Sequence, residues 1–313
     1  MMWLKTPQKS FDLLLLQKEA EKDVLQPALP CNSTLFNVMT KSPPDRLRPG
    51  FSRQKKSRLK SPKDGLLFIW GIHPVQEALQ ASPRNVKEVF IDRGSGARTQ
   101  RIVELAEQQK ITVRYGTAEF SKDALRKGGL TDEDRHQGVI ARISFPYCAF
   151  SEILDSLRDN TDVPFILALD SIQDPQNLGA IIRSAVAAGF TRIILPKDRA
   201  VQVTGSVVKA SAGAVFHVDV CRVTNLVTAI DSLKKEWIWV FCTSKDAPLT
   251  IYETDFTVPA CLVIGNEEKG LRPRVKEHCD MLVTIPMPGK LDSLNASVAT
   301  GVVLFEIVRQ RIT

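Results

Sequence analysis

Several signals that would place this chain in a membrane or a secretory pathway are absent from its sequence. No apolar run approaches the roughly 18 residues of a membrane helix, and the leucine run at residues 13–16 is far too short. The first part of the chain mixes acids with bases and has no small-residue cleavage site after a positive start. We therefore expect neither a secretory signal nor a transit peptide, and a cytoplasmic location.

Cysteine and histidine are scarce, and neither is grouped. Four histidines occur, and none clusters with cysteine at the spacing of metal ligands. The six cysteines show no CxxC pair and no regular spacing: Cys31, Cys148, Cys221, Cys242, Cys261 and Cys279. Four of them sit in or beside apolar runs, as buried thiols do. This pattern predicts a reducing compartment and no metal site.

The familiar glycine-rich nucleotide cradles are missing as well. The first strand of the second half, "PFILALD", continues into "SIQDPQNLG", which is not GxGxxG, and no GxxxxGK[ST] occurs. The lone GxG that begins at Gly94 is more typical of a turn than of a nucleotide-binding loop. A conventional Rossmann methyltransferase or dehydrogenase is therefore disfavoured.

The net charge of +7 is concentrated in one short segment. Residues 41–65 hold nine Lys or Arg against Asp45 and Asp64, which accounts for the whole excess. A basic segment rich in Pro, Ser and Gly cannot bury a core, so we expect residues 1–65 to be a disordered, basic extension. It could be a solubilising linker, but an arm that gathers RNA phosphates through counterion release is favoured.

The remainder reads as two α/β halves. Over residues 66–145, strand patterns such as "LLFIWG" and "VKEVFID" alternate with helical patterns, which indicates a small layered domain. A connector follows over residues 146–163. Residues 164–313 alternate again, with near-continuous apolar strands that predict a mostly parallel sheet covered on both faces. Three unusual loops follow strands of this sheet, at residues 170–179, 265–272 and 286–295, where such sheets bind ligands.

One cation stands out in the helix after the first of these strands. In "QNLGAIIRSAVAA", Asn177 is a plausible helix cap. Arg183 has only Gly, Ala and Val at three and four residues' distance, so no acid of its own helix can pair with it. Gly179 and Ala180 are small enough to leave room for a ligand beside it.

The other two loops are each ambiguous when taken alone. Gly265 and Gly270 permit close backbone approach to a ligand, while Glu267 could be either functional or simply solvated. In the third loop Ser293 can cap a helix whose first turns are built of small residues. Such a helix could bind an anionic group at its amino terminus, or could merely pack closely against a neighbour.

Taken together, the motifs "DPQNLGAIIRSA", "IGNEEKGL" and "IPMPGKLDSLNASVA", in this order at these strand ends, resemble those of the SpoU/TrmH branch of the SPOUT RNA methyltransferases. "WGIHPVQEAL" and "RHQGVIA" are similar to the start and end of that family's substrate-binding domain, which resembles ribosomal protein L30e. Within the family, the chain is most similar to enzymes that methylate a guanosine ribose in large-subunit ribosomal RNA. The first 65 residues lie outside the resemblance.

The resemblance implies an α/β fold with a trefoil knot, S-adenosylmethionine as cofactor, RNA as substrate and a homodimer without metal. Its motif positions fall on two groups of residues. The catalytic group implied is Arg183, Asn177, Glu267, Ser293 and Asn295. The cofactor-binding group implied is Gly265, Ile285, Met287, Gly289 and Leu294. The family usually carries a small residue where Glu268 stands, which leaves the shape of that loop open.

Three other functions stay open at this level. A transfer RNA ribose methyltransferase of the same branch usually lacks the L30e-like domain, so the small domain disfavours it. An antibiotic-resistance ribosomal RNA methyltransferase shares both domains. A non-catalytic RNA-binding protein would keep the fold, but every motif position named above is intact.

Overall fold

The computed structural model of the chain describes residues 66–116, 136–158, 163–267 and 269–312. Three sequence predictions lie outside these residues: the basic extension over residues 1–65, a helix over residues 118–129 and the loop shape at Glu268.

In residues 66–116 and 136–145, the first half forms a four-stranded mixed sheet with two α-helices. The strands have the spatial order β1-β4-β2-β3; β2 and β3 run parallel, and the other neighbours are antiparallel. The elements are β1 (Leu66–Trp70), α1 (Ile72–Ala81), β2 (Val86–Asp92), α2 (Gln100–Gln108), β3 (Thr112–Gly116) and β4 (Val139–Ser144). The apolar residues of α1 and α2 at helical spacing are buried, as their amphipathic pattern predicts.

The second half contains a seven-stranded parallel sheet in the order β7-β6-β5-β10-β8-β11-β9. Its strands are β5 (Phe165–Leu169), β6 (Arg192–Pro196), β7 (Asp219–Val223), β8 (Trp239–Thr243), β9 (Leu249–Thr250), β10 (Ala260–Ile264) and β11 (Met281–Thr284). Its helices are α3 (Phe150–Arg158), α4 (Pro175–Ala187), α5 (Gly205–Ala210), α6 (Leu226–Lys235), α7 (Pro273–Glu277) and α8 (Ala296–Ile312). None of the helices in the described ranges is both long and apolar enough to cross a membrane.

The central strands of this sheet are buried on both faces. Alternate residues of β5 enter two different apolar clusters, with Leu167 in one and Ile166 in the other, because successive side chains of a strand point to opposite faces. Residues of α4 and α8 belong to the first cluster, and residues of α6 belong to the second. The prediction of a mainly parallel sheet covered on both faces is confirmed.

One predicted strand is shorter than its sequence suggests. The run "AVFHVDVC" predicts a strand from Ala214, but residues 214–217 form a 3-10 turn, and the strand begins at Asp219. Gly213 precedes the turn with a left-handed φ of 88°, and Val215 is fully buried. Burial of the turn against α1 and α4 therefore outweighs the β propensity of its residues.

Two predicted helix caps are also wrong. Helix α4 is capped by Asp174, whose side chain accepts a hydrogen bond from a backbone N–H of the first turn, so Asn177 lies inside the helix. The Asp-Pro order explains this, because proline suits the first helical position and aspartate the cap before it. Helix α8 is capped by Asn295, which accepts from the N–H groups of the next turn, and Ser293 lies before the cap.

The small residue at Gly179 serves helix packing. A Cβ atom added there would lie 2.4 Å from the Cβ of Ala210 and 2.9 Å from the backbone nitrogen of Ser211. Helices α4 and α5 therefore meet almost backbone to backbone at this glycine. The sequence interpretation of Gly179 as space beside Arg183 for a ligand is wrong, because that space is filled by α5.

We expect Gly179→Ala to lower the free energy of unfolding by about 1–3 kcal/mol, the usual effect of overpacking a filled core. The matched control is Gly301→Ala in α8, where the added Cβ would meet only the Ser184 Oγ at 3.8 Å. That change should be neutral or stabilising by up to about 1 kcal/mol, because alanine favours a helix. Urea unfolding measures both values, and equal stability of the two variants would contradict the close contact.

Two cysteines depart from the expectation of unpaired thiols. Cys242 in β8 and Cys279 before β11 form a disulfide with a Cα–Cα distance of 6.1 Å, a separation that such bonds accept. Their spacing in sequence gives no hint of this pair, which forms because β8 and β11 are neighbours. Cys221 and Cys261 are free and buried, and burial raises the pKa of the Cys261 thiol to about 12.

Candidate active site

A cleft of about 700 Å³ opens at the carboxyl ends of β8, β10 and β11. Parallel α/β sheets place their ligands at this edge, and a cleft of this volume suits a small organic ligand. Most of its walls come from three chain segments, which are residues 243–246 after β8, residues 264–267 and 269–271 after β10, and residues 283–287 and 292–294 after β11. Lys276 of α7 and two small residues of α8, Ala296 and Ala299, complete the lining. Two of the three loops singled out in the sequence therefore line one cleft.

The loop after β10 is a tight turn closed by its own backbone. Asn266 and Gly270 exchange two backbone hydrogen bonds of 3.0 and 2.8 Å. Gly270 has a φ of 63°, a conformation that favours glycine. A Cβ on Gly265 would lie 2.5 Å from the carbonyl carbon of Gly270 and 2.6 Å from the nitrogen of Leu271. The two glycines thus allow the loop to fold back on itself beside the cleft.

A hydrogen-bond network joins all three loops. The Oε1 atom of Glu267 accepts bonds from the side-chain amides of Asn177 and Asn295, the latter at 2.7 Å. The same oxygen accepts from the backbone N–H of Ala296 at 3.1 Å. The amide of Asn295 also donates to the Oδ1 of Asn177 at 3.0 Å.

The start of α8 explains why an acid stands at this point. The first backbone N–H groups of a helix have no partner inside the helix, and its amino terminus attracts negative charge. The Glu267 carboxylate accepts a hydrogen bond from the Ala296 N–H, and the side-chain Oδ1 of Asn295 accepts one from the Ser297 N–H. Two carboxamides and one carboxylate are thereby held in fixed orientations at the rim of the cleft, where they can position a polar substrate.

Six of the ten predicted site residues line the cleft directly. These are Gly265, Glu267, Ile285, Met287, Ser293 and Leu294. Asn177 and Asn295 join them through hydrogen bonds to Glu267. Gly289 is exposed, lies outside the lining, and has open space where a Cβ would project.

Arg183, like Gly289, stands apart from the cleft. It lies on the exposed side of α4, outside the lining of the cleft. Within the residues that the structure describes, its guanidinium forms no hydrogen bond and no ion pair. The structure thus presents Arg183 to solvent, where an external phosphate could reach it.

Sequence reasoning missed two parts of this region. Asp170 is fully buried and bonds to Arg272, at the end of the loop over residues 265–272, which we call the glycine loop. The sequence signal for Asp170 was a lone acid that closes the apolar strand "PFILAL". The other part is the segment at residues 244–246, together with Lys276, whose ammonium donates to the Ser244 hydroxyl at 3.3 Å. Its signal was the polar run "TSKD" at the end of a parallel strand.

The described part of the chain contains no candidate metal site. No group of three or more His, Cys, Asp or Glu side chains there could hold a metal ion.

Two family models match this chain. Residues 164–305 match the SpoU rRNA Methylase family, and residues 68–147 match the model for RNA 2'-O ribose methyltransferase substrate binding. The first match covers the parallel sheet and the cleft, and the second covers the four-stranded mixed sheet.

Curated proteins and solved structures agree with these matches. The chain is 42% identical over 246 residues to the 23S rRNA (guanosine-2'-O-)-methyltransferase RlmB of Pseudomonas putida, covering 78% of this chain and 96% of that protein. It is 40% identical to the protein of that name in Escherichia coli, covering 78% and 98%. The SpoU methyltransferase AviRb from Streptomyces viridochromogenes, solved with the cofactor AdoMet, has a TM-score of 0.65 at 28% identity, covering 80% and 92%. With this identity over nearly the whole length of its relatives, the chain belongs to the SpoU rRNA methylase family.

Proposed function

We propose that this protein transfers a methyl group from S-adenosylmethionine to a ribose 2' oxygen of RNA, at a guanosine of large-subunit ribosomal RNA. The observation that carries the proposal is the network of Glu267, Asn177 and Asn295 at the rim of the cleft, which unites three separate loops. The relatives named RlmB support the substrate, because the chain covers nearly all of their length.

The cleft fits such a cofactor in size and in chemistry. Apolar side chains of Ile264, Leu271 and Ile285 offer contacts to a flat base, while the glycine loop brings backbone groups to the surface of the cleft. The walls also carry Lys245, Lys276 and other polar groups, which suit the charged end of an amino acid. When bound, the cofactor would supply an electrophilic methyl group on its sulfonium.

The chain's own residues would then position the ribose. A hydroxyl is a weak nucleophile at neutral pH, so holding it in line with the methyl group supplies much of the catalysis. Asn177 and Ser293 offer hydrogen-bonding groups at the rim, while Glu267 and Asn295 hold the Asn177 carboxamide in place. The 2' oxygen would take the methyl group as the methyl–sulfur bond breaks, and its proton would pass to water.

Arg183 would act from the solvent side of α4. A guanidinium stays protonated in proteins, so a role as general base suits it poorly. It can instead hold an adjacent phosphate with its planar fork and stabilise negative charge that develops on the 2' oxygen. Its exposure leaves it accessible to RNA.

The knot implied by the resemblance forms part of the proposal. The chain leaves β11, which is separated from β5 by β8 and β10, and then returns to pack α8 against α4. The return path over residues 285–295 therefore crosses the sheet edge beside the glycine loop, where both segments line the cleft. We propose that this crossing threads the knot, although knots are otherwise nearly absent from proteins.

RNA recognition would be shared by other parts of the chain. We propose residues 66–145 as the substrate-binding domain, residues 146–163 as a linker and residues 164–313 as the methyltransferase domain. The basic segment at residues 41–65 would add phosphate contacts that do not depend on sequence. Because ribosomal RNA is the proposed substrate, we propose a cytoplasmic location.

A ribose-methylation map of ribosomal RNA from a strain that lacks this gene tests the substrate. We expect one guanosine of the large-subunit RNA to lose its 2'-O-methyl group, and expression of the intact gene to restore it. An unchanged ribosomal RNA map, with a ribose methyl group missing from a transfer RNA, would overturn this substrate in favour of transfer RNA.

The last helix offers a surface for a homodimer. Val298, Phe305 and Ile312 of α8 are 51%, 52% and 80% exposed, and their spacing of seven residues places them along one side of the helix. The opposite side is buried in the core, where it includes Val303, Leu304 and Ile307. We propose that a second copy of the chain covers this stripe.

We expect Phe305→Glu to shift the protein toward monomer at micromolar concentration, because a charge buried without a partner in an interface is strongly unfavourable. Light scattering on the purified protein gives the mass. Tyr252→Glu is the matched control, since Tyr252 is a similarly exposed aromatic residue outside α8. A wild-type monomer, or a Phe305→Glu dimer of unchanged stability, would contradict the proposed interface.

A further inference from the structure

Asp170, whose carboxylate is fully buried, contacts both ends of the loop at residues 265–272. The backbone N–H of Asp170 donates to the carbonyl of Ile264 at 2.7 Å, where the loop begins. The Asp170 carboxylate accepts from the backbone N–H of Arg272 at 2.9 Å and from its Nε at 2.7 Å, where the loop ends. One residue after β5 thus holds both ends of residues 265–272.

The next residue of the chain, Ser171, holds the same loop near its start. The Ser171 carbonyl accepts a hydrogen bond from the side-chain amide of Asn266 at 3.2 Å. Ser171 has a φ of 65°, a left-handed conformation that few side chains adopt. Its hydroxyl donates to the Asp170 carboxylate at 3.1 Å. The turn at Ser171 therefore brings its carbonyl and the Asp170 carboxylate to the same loop.

Neither Asp170 nor Arg272 lines the cleft, whereas residues 265–267 and 269–271 of the loop between them do. The Asp170 side chain is fully buried and that of Arg272 is 36% exposed, so solvent screens the pair only in part. A buried carboxylate with charge-assisted bonds at fixed distances gives the loop one preferred shape. That loop carries Glu267, which in turn orients Asn177 and Asn295.

We infer that Asp170 is a positioning residue for S-adenosylmethionine binding, which it controls through Arg272 and the shape of the loop at residues 265–272. This inference rests on the proposed function. It assigns to Asp170 no contact with the cofactor or with RNA.

Calorimetric titration of S-adenosylmethionine into folded Asp170→Asn tests the inference. The asparagine is isosteric, but its neutral amide cannot accept charge-assisted bonds from Arg272 at both oxygens. We expect the dissociation constant to rise by about tenfold or more, the scale of one lost charge-assisted hydrogen bond. RNA affinity measured without cofactor should stay within about twofold of wild type.

Asp280→Asn supplies the matched control. Asp280 is a comparably buried carboxylate that accepts hydrogen bonds from Lys234 and from the backbone N–H of Val240, both at 3.0 Å. It lies at the amino ends of β8 and β11, whereas the cleft lies at their carboxyl ends. Both variants should lose stability, but only Asp170→Asn should lose cofactor affinity. Equal loss of affinity in both would show general destabilisation and would overturn the inference.

Arg272→Lys keeps the inference testable if Asp170→Asn does not fold. Lysine retains the charge and the backbone N–H donor but loses the Nε donor, so we expect an intermediate loss of cofactor affinity. Wild-type affinity in whichever of the two variants folds would overturn the inference alone. A wild-type protein that binds no S-adenosylmethionine would overturn the proposed function and the inference with it.

Discussion

Arg183→Ala should lower the rate of methyl transfer by about a hundredfold or more, the scale on which one preorganised electrostatic donor contributes to catalysis. S-adenosylmethionine affinity should stay nearly unchanged, because Arg183 lies outside the lining of the cleft. Single-turnover methylation of a ribosomal RNA fragment, with cofactor saturating, isolates this chemical step. Calorimetry on the same preparation gives the cofactor affinity.

Two further variants separate charge from geometry. Arg183→Lys keeps the cation but loses the planar fork, so we expect it to recover little of the rate. Arg158→Ala is the control, since Arg158 is an exposed arginine of α3 whose ion pair with Glu236 lies on the surface, where such pairs contribute little. A near-normal rate of methyl transfer in Arg183→Ala would show that Arg183 does not contribute to catalysis.

Gly265→Val should weaken S-adenosylmethionine binding by about a hundredfold or more, since a side chain there meets main-chain atoms that cannot move without reshaping the loop. Even a Cβ would lie 2.5 Å from the Gly270 carbonyl carbon. The smaller Gly265→Ala should show the same direction with a smaller effect. The sequence alone suggested that Gly265 lets a ligand approach the backbone, whereas in the structure the close contact is with the loop itself.

Gly94→Ala is the control for these glycine variants. An added Cβ there would meet only an Asp92 carboxylate oxygen at 3.9 Å, and Gly94 lies in the first half of the chain. Its cofactor affinity should equal that of wild type. Unchanged affinity in a folded Gly265→Val protein, measured by calorimetry, would mean that the cofactor binds elsewhere.

Strong local patterns made most of the fold predictable. The apolar run "PFILAL" predicts a buried parallel strand because both of its faces are covered, and β5 is buried throughout. The meeting of these loops also followed from sequence, since loops after parallel strands lie together at the carboxyl ends of the strands. Asn177, Glu267 and Asn295, which are far apart in the chain, come together there.

The features that the sequence did not reveal depend on contacts between distant segments. Gly179 is small because α5 packs against it, and α5 is placed there by the fold rather than by the local pattern around Gly179. Asp170 needs Arg272, which lies 102 residues further along the chain. The Cys242–Cys279 bond likewise depends on which strands become neighbours.

Transfer of a labelled methyl group from S-adenosylmethionine to unmodified large-subunit ribosomal RNA, followed by nucleoside analysis, tests the proposed function most directly. We predict that wild-type protein places the label on 2'-O-methylguanosine. Glu267→Ala should place far less, because Asn177, Asn295 and the N–H of Ala296 lose their shared acceptor. Label on a base, or no label with a protein that binds both cofactor and RNA, would contradict ribose methylation.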